Sequence, residues 1–305
     1  MGLERVRSGA TYLAYRFSGA GLKVLPEPIA YGAAALVGSA LARRPHGDLA
    51  IRERHIARVL ASGSPVVAPD PAVVRRWARR SFQSYARYWV DGARLPSTRP
   101  SVVRERMVLD WGYEHLEEAA TSGCGVVLAL PHIGSWEWGG RFFALEGHRV
   151  TSVAERLEPP ALFRWFLRQR EAMGLRIVPL GEGSGQVLLQ ELRRGGIVGL
   201  ICDRDLAGNG VQVEFFGEET TLPRGPATLA LRTDAALMPA AVYSGPLDAH
   251  VAVVTAPLDT SRTGSFRTDV ERLTQELARR FEWLVRRAPE QWHLYQPNWP
   301  SDGGG

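Results

Sequence analysis

Gly123-Cys124-Gly125-Val126-Val127-Leu128-Ala129-Leu130-Pro131-His132-Ile133-Gly134-Ser135-Trp136-Glu137-Trp138-Gly139-Gly140 is the stretch that decides the fold class. Its first half is a short apolar run rich in β-branched residues that stops at a proline, the pattern of a buried strand. From about Ser135 onward it reads as a helix, with Ser135 a candidate cap. His132 therefore stands at a strand end beside a helix N-terminus. In open α/β sheets that is where chemistry collects. A carboxylate, Glu137, follows five residues later.

Outward from this stretch, short apolar runs alternate with amphipathic ones. A helix is expected over 114–121, a strand over 126–130 and a helix from 135. Strands over 148–154, 176–180 and 197–202 then alternate with helices over 160–174 and 185–194. A helix over 225–233, strands over 240–243 and 250–256, and a long helix over 269–287 follow. The last carries Leu273, Leu277, Phe281 and Leu284 on one stripe. Strands alternating with helices of this length build βαβ units. The expected fold class is α/β, with a central, mostly parallel sheet flanked by helices and a helical N-terminal region. Residues 1–70 form that region, 71–300 the domain carrying the site, and 301–305 a tail expected to be disordered.

The 305 residues suffice for a sizeable core, and 45% hydrophobic with 23% charged residues excludes a disordered chain. The 37 Lys+Arg exceed the 32 Asp+Glu by five, and the positive side is almost entirely arginine. That excess fits nucleic acid, anionic lipid or an anionic cofactor without choosing among them. Cys124 and Cys202 both fall in apolar runs that read as buried strands, as core residues of a reduced protein. No secretory leader is expected. The uncharged run 28–42 is shorter than the roughly 20 residues that cross a bilayer. It reads either as a core helix or as a segment lying in a membrane surface. Val6, Tyr12, Leu13, Tyr15, Arg16 and Phe17 precede it, and a basic helix is expected over 51–60. Asp70-Pro71 is a helix start, and Val74, Trp77, Ala78, Ser81, Phe82, Tyr85, Tyr88 and Trp89 recur after it at helical spacing, as core or as a face that meets lipid. Arg75, Arg76, Arg79, Arg80 and Arg87 take other faces, either a solvated surface or one that meets lipid.

His132 and Glu137 form the first chemical constellation. A neutral imidazole can take a proton from a hydroxyl, and a carboxylate on its other nitrogen fixes the tautomer. On spacing alone, a histidine capping a helix with a surface glutamate after it fits the same residues. No second histidine lies at metal-ligand spacing, so no metal is expected. The chain has no G-x-S-x-G, and Gly181-Glu182-Gly183-Ser184-Gly185 only mimics one. It also lacks a P-loop and a Rossmann G-x-G-x-x-G, which argues against a serine hydrolase, a nucleotide hydrolase and a dinucleotide enzyme.

Four blocks come in order: His132-x4-Glu137; Arg168-Gln169-Arg170-Glu171-Ala172-Met173-Gly174; Cys202-Asp203-Arg204-Asp205-Leu206; and Leu222-Pro223-Arg224-Gly225-Pro226 with Met238-Pro239. Together they resemble the bacterial lipid A lauroyl/myristoyl-type acyltransferase superfamily. The chain is most similar to its actinobacterial phosphatidylinositol mannoside branch, over roughly residues 75 to 300. Ser84-Tyr85-Ala86-Arg87-Tyr88-Trp89, Val153-Ala154-Glu155-Arg156-Leu157, Val213-Glu214-Phe215-Phe216-Gly217-Glu218 and Gln291-Trp292-His293-Leu294-Tyr295-Gln296-Pro297-Asn298-Trp299 add to the match. The lipid A branch usually ends in a more basic motif.

The resemblance implies a glycerolipid acyltransferase-like fold and transfer of an acyl group from a coenzyme A thioester, such as palmitoyl-CoA, to a glycolipid hydroxyl. It implies a peripheral protein on the anionic cytoplasmic face of the plasma membrane, without a permanently bound cofactor or a nucleic-acid partner. His132 is then the general base and Glu137 its orienting carboxylate. Arg170 serves the thioester as an oxyanion or phosphate partner, and Asp203, where the mannoside branch more often has glutamate, meets the acceptor sugar. Glu155 and Arg156 then match a wall of the site, with a surface pair as the plainer reading. Arg204 and Asp205 match the family block, with a structural ion pair at a strand end as the plainer reading. Trp136 and Trp138 line an acyl channel or pack in the core. A lipid A-type or lysophospholipid acceptor, and a lipid-binding membrane protein without turnover, are the alternatives.

Overall fold

The structure, a computed structural model, describes residues 19, 21–43, 47–62 and 68–303. Its strands are β1 (Met107–Trp111), β2 (Val126–Leu130), β3 (Val150–Ala154), β4 (Arg176–Pro179), β5 (Ile197–Ile201), β6 (Val211–Phe215), β7 (Glu218–Leu222), β8 (Ala236–Ser244) and β9 (His250–Val254). The helices used below are α1 (Glu27–Leu41), α2 (Gly47–Ala61), α3 (Pro71–Arg94), α4 (Pro100–Arg106), α5 (Tyr113–Thr121), α6 (Trp136–Leu145), α7 (Pro160–Glu171), α8 (Ser184–Arg193), α9 (Gly225–Thr233) and α10 (Phe266–Arg287).

Seven strands form one sheet in the order β1-β9-β8-β2-β5-β3-β4, and every neighbouring pair is parallel except β8 with β9. The α/β class with a mostly parallel sheet is therefore the one expected. Its central strands are apolar on both faces because helices cover both. Val127, Ala129, Val198 and Leu200 point into one core with the apolar stripe of α10. Leu128, Met238 and Ala240 point into the other, beneath Trp138, Phe142 and Phe143 of α6. Leu273, Leu277, Phe281 and Leu284 are all buried, as their spacing requires.

Two strand regions escape the sequence reading. β1 adds an edge strand, and β6–β7 form a separate antiparallel hairpin. The hairpin alternates buried and exposed residues from Val211 to Phe215, a period-2 pattern open to reading from the sequence. Cys124 is exposed just ahead of β2, so only Cys202 is the buried thiol expected of both.

The N-terminal region is helical where it is described; Val6 to Phe17 lie outside the described residues. Asp70 caps α3 by accepting from the Ala72 amide at 2.7 Å, ahead of Pro71. Val74, Ala78 and Phe82 face inward, while Arg75, Arg76, Arg79 and Arg80 are exposed. α1 lies so close to α3 that a Cβ at Gly38 would come within 2.6 Å of the Phe82 carbonyl oxygen. Its other face leaves Ile29, Leu36 and Val37 more than half exposed. No described helix is long and apolar enough to cross a membrane. Ser301 and Asp302, expected to be disordered, instead close a 3-10 turn, and the Asp302 carboxylate is buried against His55 at 2.9 Å. Residues 304–305 lie outside the described residues.

Candidate active site

β2 and β5 are neighbours in parallel register, Leu130 opposite Ile201. Two residues beyond each strand end the chain places His132 and Asp203, so the register itself brings them together. His132 Nδ1 meets Asp203 Oδ1 at 2.5 Å, and the His132 amide donates to Oδ2 at 2.9 Å. Trp292 Nε1 donates to Oδ2 as well, at 2.7 Å. Burial alone would push the Asp203 carboxyl up; the His132 ring beside it and the hydrogen bonds from His132 and Trp292 outweigh it and hold the carboxyl below its ordinary range. An ionised carboxylate only accepts, so Nδ1 carries the proton and donates, leaving Nε2 with a free lone pair. The imidazole is partly exposed and lines a cavity.

This geometry corrects two residue assignments. The carboxylate on His132 Nδ1 is Asp203 and not Glu137. Asp203 is fully buried, so it does not reach an acceptor sugar. Glu137 points elsewhere because the chain turns sharply between the two. Gly134 adopts φ +59°, and a Cβ there would lie 2.0 Å from the Val242 carbonyl oxygen. α6 then starts with Ser135 donating its amide to Val242 and its hydroxyl to Asp91, so Ser135 makes no side-chain cap. Glu137, in the first turn, accepts from Arg170 and from the Tyr88 hydroxyl, both at 3.0 Å on Oε1. Its Oε2 is buried with no protein partner. Burial works against the Arg170 cation, yet Glu137 and Tyr88 hold its pKa above the ordinary value. Burial and the Glu137 charge push the Tyr88 phenol well up, so it stays a donor.

The cavity measures about 730 Å³, within the usual range for small-molecule sites. His132, Trp136, Glu137 and Arg170 contribute to its wall, and Leu128, Gly139, Phe143, Ile177, Gly199 and Val254 give it an apolar interior. Glu155 and Arg204 both line the cavity and pair with each other at 3.4 Å, instead of the Glu155–Arg156 and Arg204–Asp205 pairings that the sequence suggests. Asp205 accepts from the amides of Ala207, Gly208 and Gly210 and shapes the following loop. Arg224 and Arg232 add further cations to the lining. Trp136 meets the His132 ring edge-on at 5.9 Å. Trp138 does not line the cavity; it is buried and stacked on His250 at 3.8 Å, the core alternative.

Sequence reasoning misses Tyr88, Trp292 and His293 as parts of this site. All three stand in blocks that carry the resemblance, but nothing in their spacing says that they meet the strand ends. His293 donates its amide to the His132 carbonyl at 2.6 Å, and its Nε2 lies 2.9 Å from the Ser84 hydroxyl. Burial, with Arg52 and His132 nearby, drives the His293 pKa well down, so its ring is neutral. Among the described residues no cluster of three or more His, Cys, Asp or Glu side chains is built to hold a metal. The arrangement offers an oriented imidazole with a free Nε2, facing an apolar cavity with arginines on its wall. It is suited to deprotonating a hydroxyl against an electrophile on a long apolar group.

Residues 4–301 match the family model described as bacterial lipid A biosynthesis acyltransferase. The chain is 36% identical over 297 residues to a phosphatidylinositol mannoside acyltransferase of Mycobacterium tuberculosis strain H37Rv, covering 96% of this chain and 90% of the relative. It is 38% identical over 286 residues to one of Mycolicibacterium smegmatis, covering 92% of this chain and 88% of the relative.

Proposed function

Because the chain belongs to the bacterial lipid A biosynthesis acyltransferase family and is an acyltransferase, we propose that it acylates a membrane glycolipid, a phosphatidylinositol mannoside, from acyl-CoA. The observation that carries the reading is the His132–Asp203 pair, with Nε2 free, at the wall of an apolar cavity of about 730 Å³. His132 Nε2 takes the proton of the acceptor hydroxyl as its oxygen attacks the thioester carbonyl. The carbon–sulfur bond breaks, and the coenzyme A thiolate leaves with the proton returned by the imidazolium. Asp203 stabilises that imidazolium. No covalent enzyme intermediate is required, since the thioester is already activated. Arg170, anchored by Glu137, offers its remaining N–H groups to the oxyanion or to the donor's phosphates. Arg204, Arg224 and Arg232 suit the same polyanion. The apolar interior suits a fatty chain.

The exposed apolar face of α1 and the arginines of α3 support peripheral docking on an anionic membrane, its cytoplasmic face. The test is turnover by the purified protein on a panel of acceptors with palmitoyl-CoA, read by mass spectrometry of the products. Wild-type protein should acylate the mannoside, and His132→Ala should lose about 10²–10⁴-fold in rate with its circular dichroism unchanged. A variant near the wild-type rate overturns the base assignment. Product on a lipid A precursor alone reassigns the acceptor. Lipid binding without product on any acceptor overturns the enzymatic reading.

A further inference from the structure

The segment after α10 runs back across the molecule and meets the catalytic loop strand-fashion. The Gly134 amide donates to the Gln291 carbonyl at 2.9 Å, the His293 amide to the His132 carbonyl, and Ile133 and Trp292 form an antiparallel bridge. Between those backbone contacts the Trp292 indole reaches under His132 to the Asp203 carboxylate at 2.7 Å. Asp203 Oδ1 and Oδ2 take three donors among the described residues. Two come from His132, and Trp292 supplies the third. The indole is fully buried, with Phe215 and Trp299 edge-on to it at 6.1 Å. The Arg52 guanidinium sits 5.8 Å from its ring centroid.

A carboxylate rotates easily about its terminal torsion, and a buried one has no water to hold it. The indole donor removes that freedom from outside the dyad. It also draws charge from the oxygens that hold the imidazole proton, in a low-dielectric place where this counts most. We propose that Trp292 is a positioning residue for the acyl transfer: through its N–H it aims Asp203 at His132 Nδ1 and tempers the basicity of that carboxylate. The role rests on the acyl-transfer reading above. It deepens that reading by adding a third member, from the far end of the chain, that touches neither substrate.

Trp292→Phe in the full chain keeps an aromatic ring and deletes the donor. The expected result is a kcat lowered about tenfold, as for other residues that orient a site group, with the KM for acyl-CoA within about twofold. The less tempered carboxylate holds the imidazolium more firmly, so the acid limb of the pH–kcat profile moves to higher pH. Titratable or charged groups around the dyad are Cys202, His293, His55 and Arg52 in the interior, and Arg204, Glu137 and Arg170 on the cavity wall. Burial pushes the Cys202 thiol up and the His55 and His293 rings and the Arg52 guanidinium down. An unmoved pH profile, or the same loss when Trp292→Phe is made in an Asp203→Asn background, makes Trp292 a packing residue and overturns the proposal. Should Trp292→Phe fail to fold, the indole ¹H–¹⁵N resonance of Trp292 is followed in Asp203→Asn instead. An upfield shift supports the proposal, and an unmoved resonance overturns it. Wild-type protein that turns over no acceptor fails the acyl-transfer reading; turnover that Trp292→Phe leaves intact fails only this one.

Discussion

Asp91 sits where three pieces of chain meet. Its carboxylate accepts from the Tyr31 hydroxyl on α1 at 2.6 Å and from Ser135 ahead of α6 at 2.9 Å. Burial nonetheless pushes its pKa up to about 6. The unfolded chain has an ordinary aspartate, near 3.9, so between those values the folded state binds the proton more strongly. The stabilisation this gives is complete below the unfolded pKa and is lost as pH rises through the folded one. Asp91→Asn should remove that slope. From pH 4 to pH 8 the wild type should lose on the order of 3 kcal/mol relative to the variant, followed by denaturant melts. Parallel stability curves for the two proteins would refute this. Residue-scale features of this kind are the least legible in the sequence. His132 was readable as a strand-end group, yet its partner was read as Glu137, five residues on. The true partner depends on which strand lies beside β2 and in what register. Equal spacing from strand end to polar residue, His132 after Leu130 and Asp203 after Ile201, was the signal that could have found it.

β5 carries Gly199 at its centre, between Leu128 of β2 and Ser152 of β3. Nothing lies within 4 Å of where its Cβ would stand, and the residue lines the cavity. Glycine in a strand interior weakens pairing and often marks close approach of a ligand. Gly199→Leu should therefore project a side chain into the chamber and shorten the acyl chain the protein prefers by several carbons. Competition among acyl-CoA donors, read by product mass, checks this; an unchanged chain-length profile refutes it. The elements themselves were largely legible. Strands buried on both faces appear as continuous apolar runs, and β2 and α9 stand where the periodicity puts them. β1 was not, because an edge strand with four exposed residues in five has no buried face to mark it.

At the scale of the whole molecule, α1 carries one group of exposed apolar side chains among the described residues, with Leu36 73% exposed and Val37 56%. Val108, Leu109 and Trp111 of β1, beside Trp283 of α10, form another. The opposite face of α1 is bound tightly to α3. Leu36→Glu with Val37→Glu should weaken binding to phosphatidylglycerol vesicles at least tenfold in a sedimentation assay, leaving the circular dichroism unchanged. The loss should persist in high salt, since salt screens the arginines and not the apolar contact. Equal binding by both proteins would move the docking face elsewhere. The uncharged run was visible in the sequence, but its one-sided exposure depends on how α1 packs.

The return of residues 289–302 to the catalytic loop also bears on how the protein is made. His132 leaves the ribosome some 160 residues before Trp292, and β2 and β5 can pair while synthesis continues. Until residues 289–302 have emerged and docked, Asp203 lacks its Trp292 donor, so a nascent chain should hold the dyad less firmly than the folded protein does. α1 and α3 are synthesised well before that stretch, so the region proposed to meet a bilayer precedes the completed clamp on Asp203.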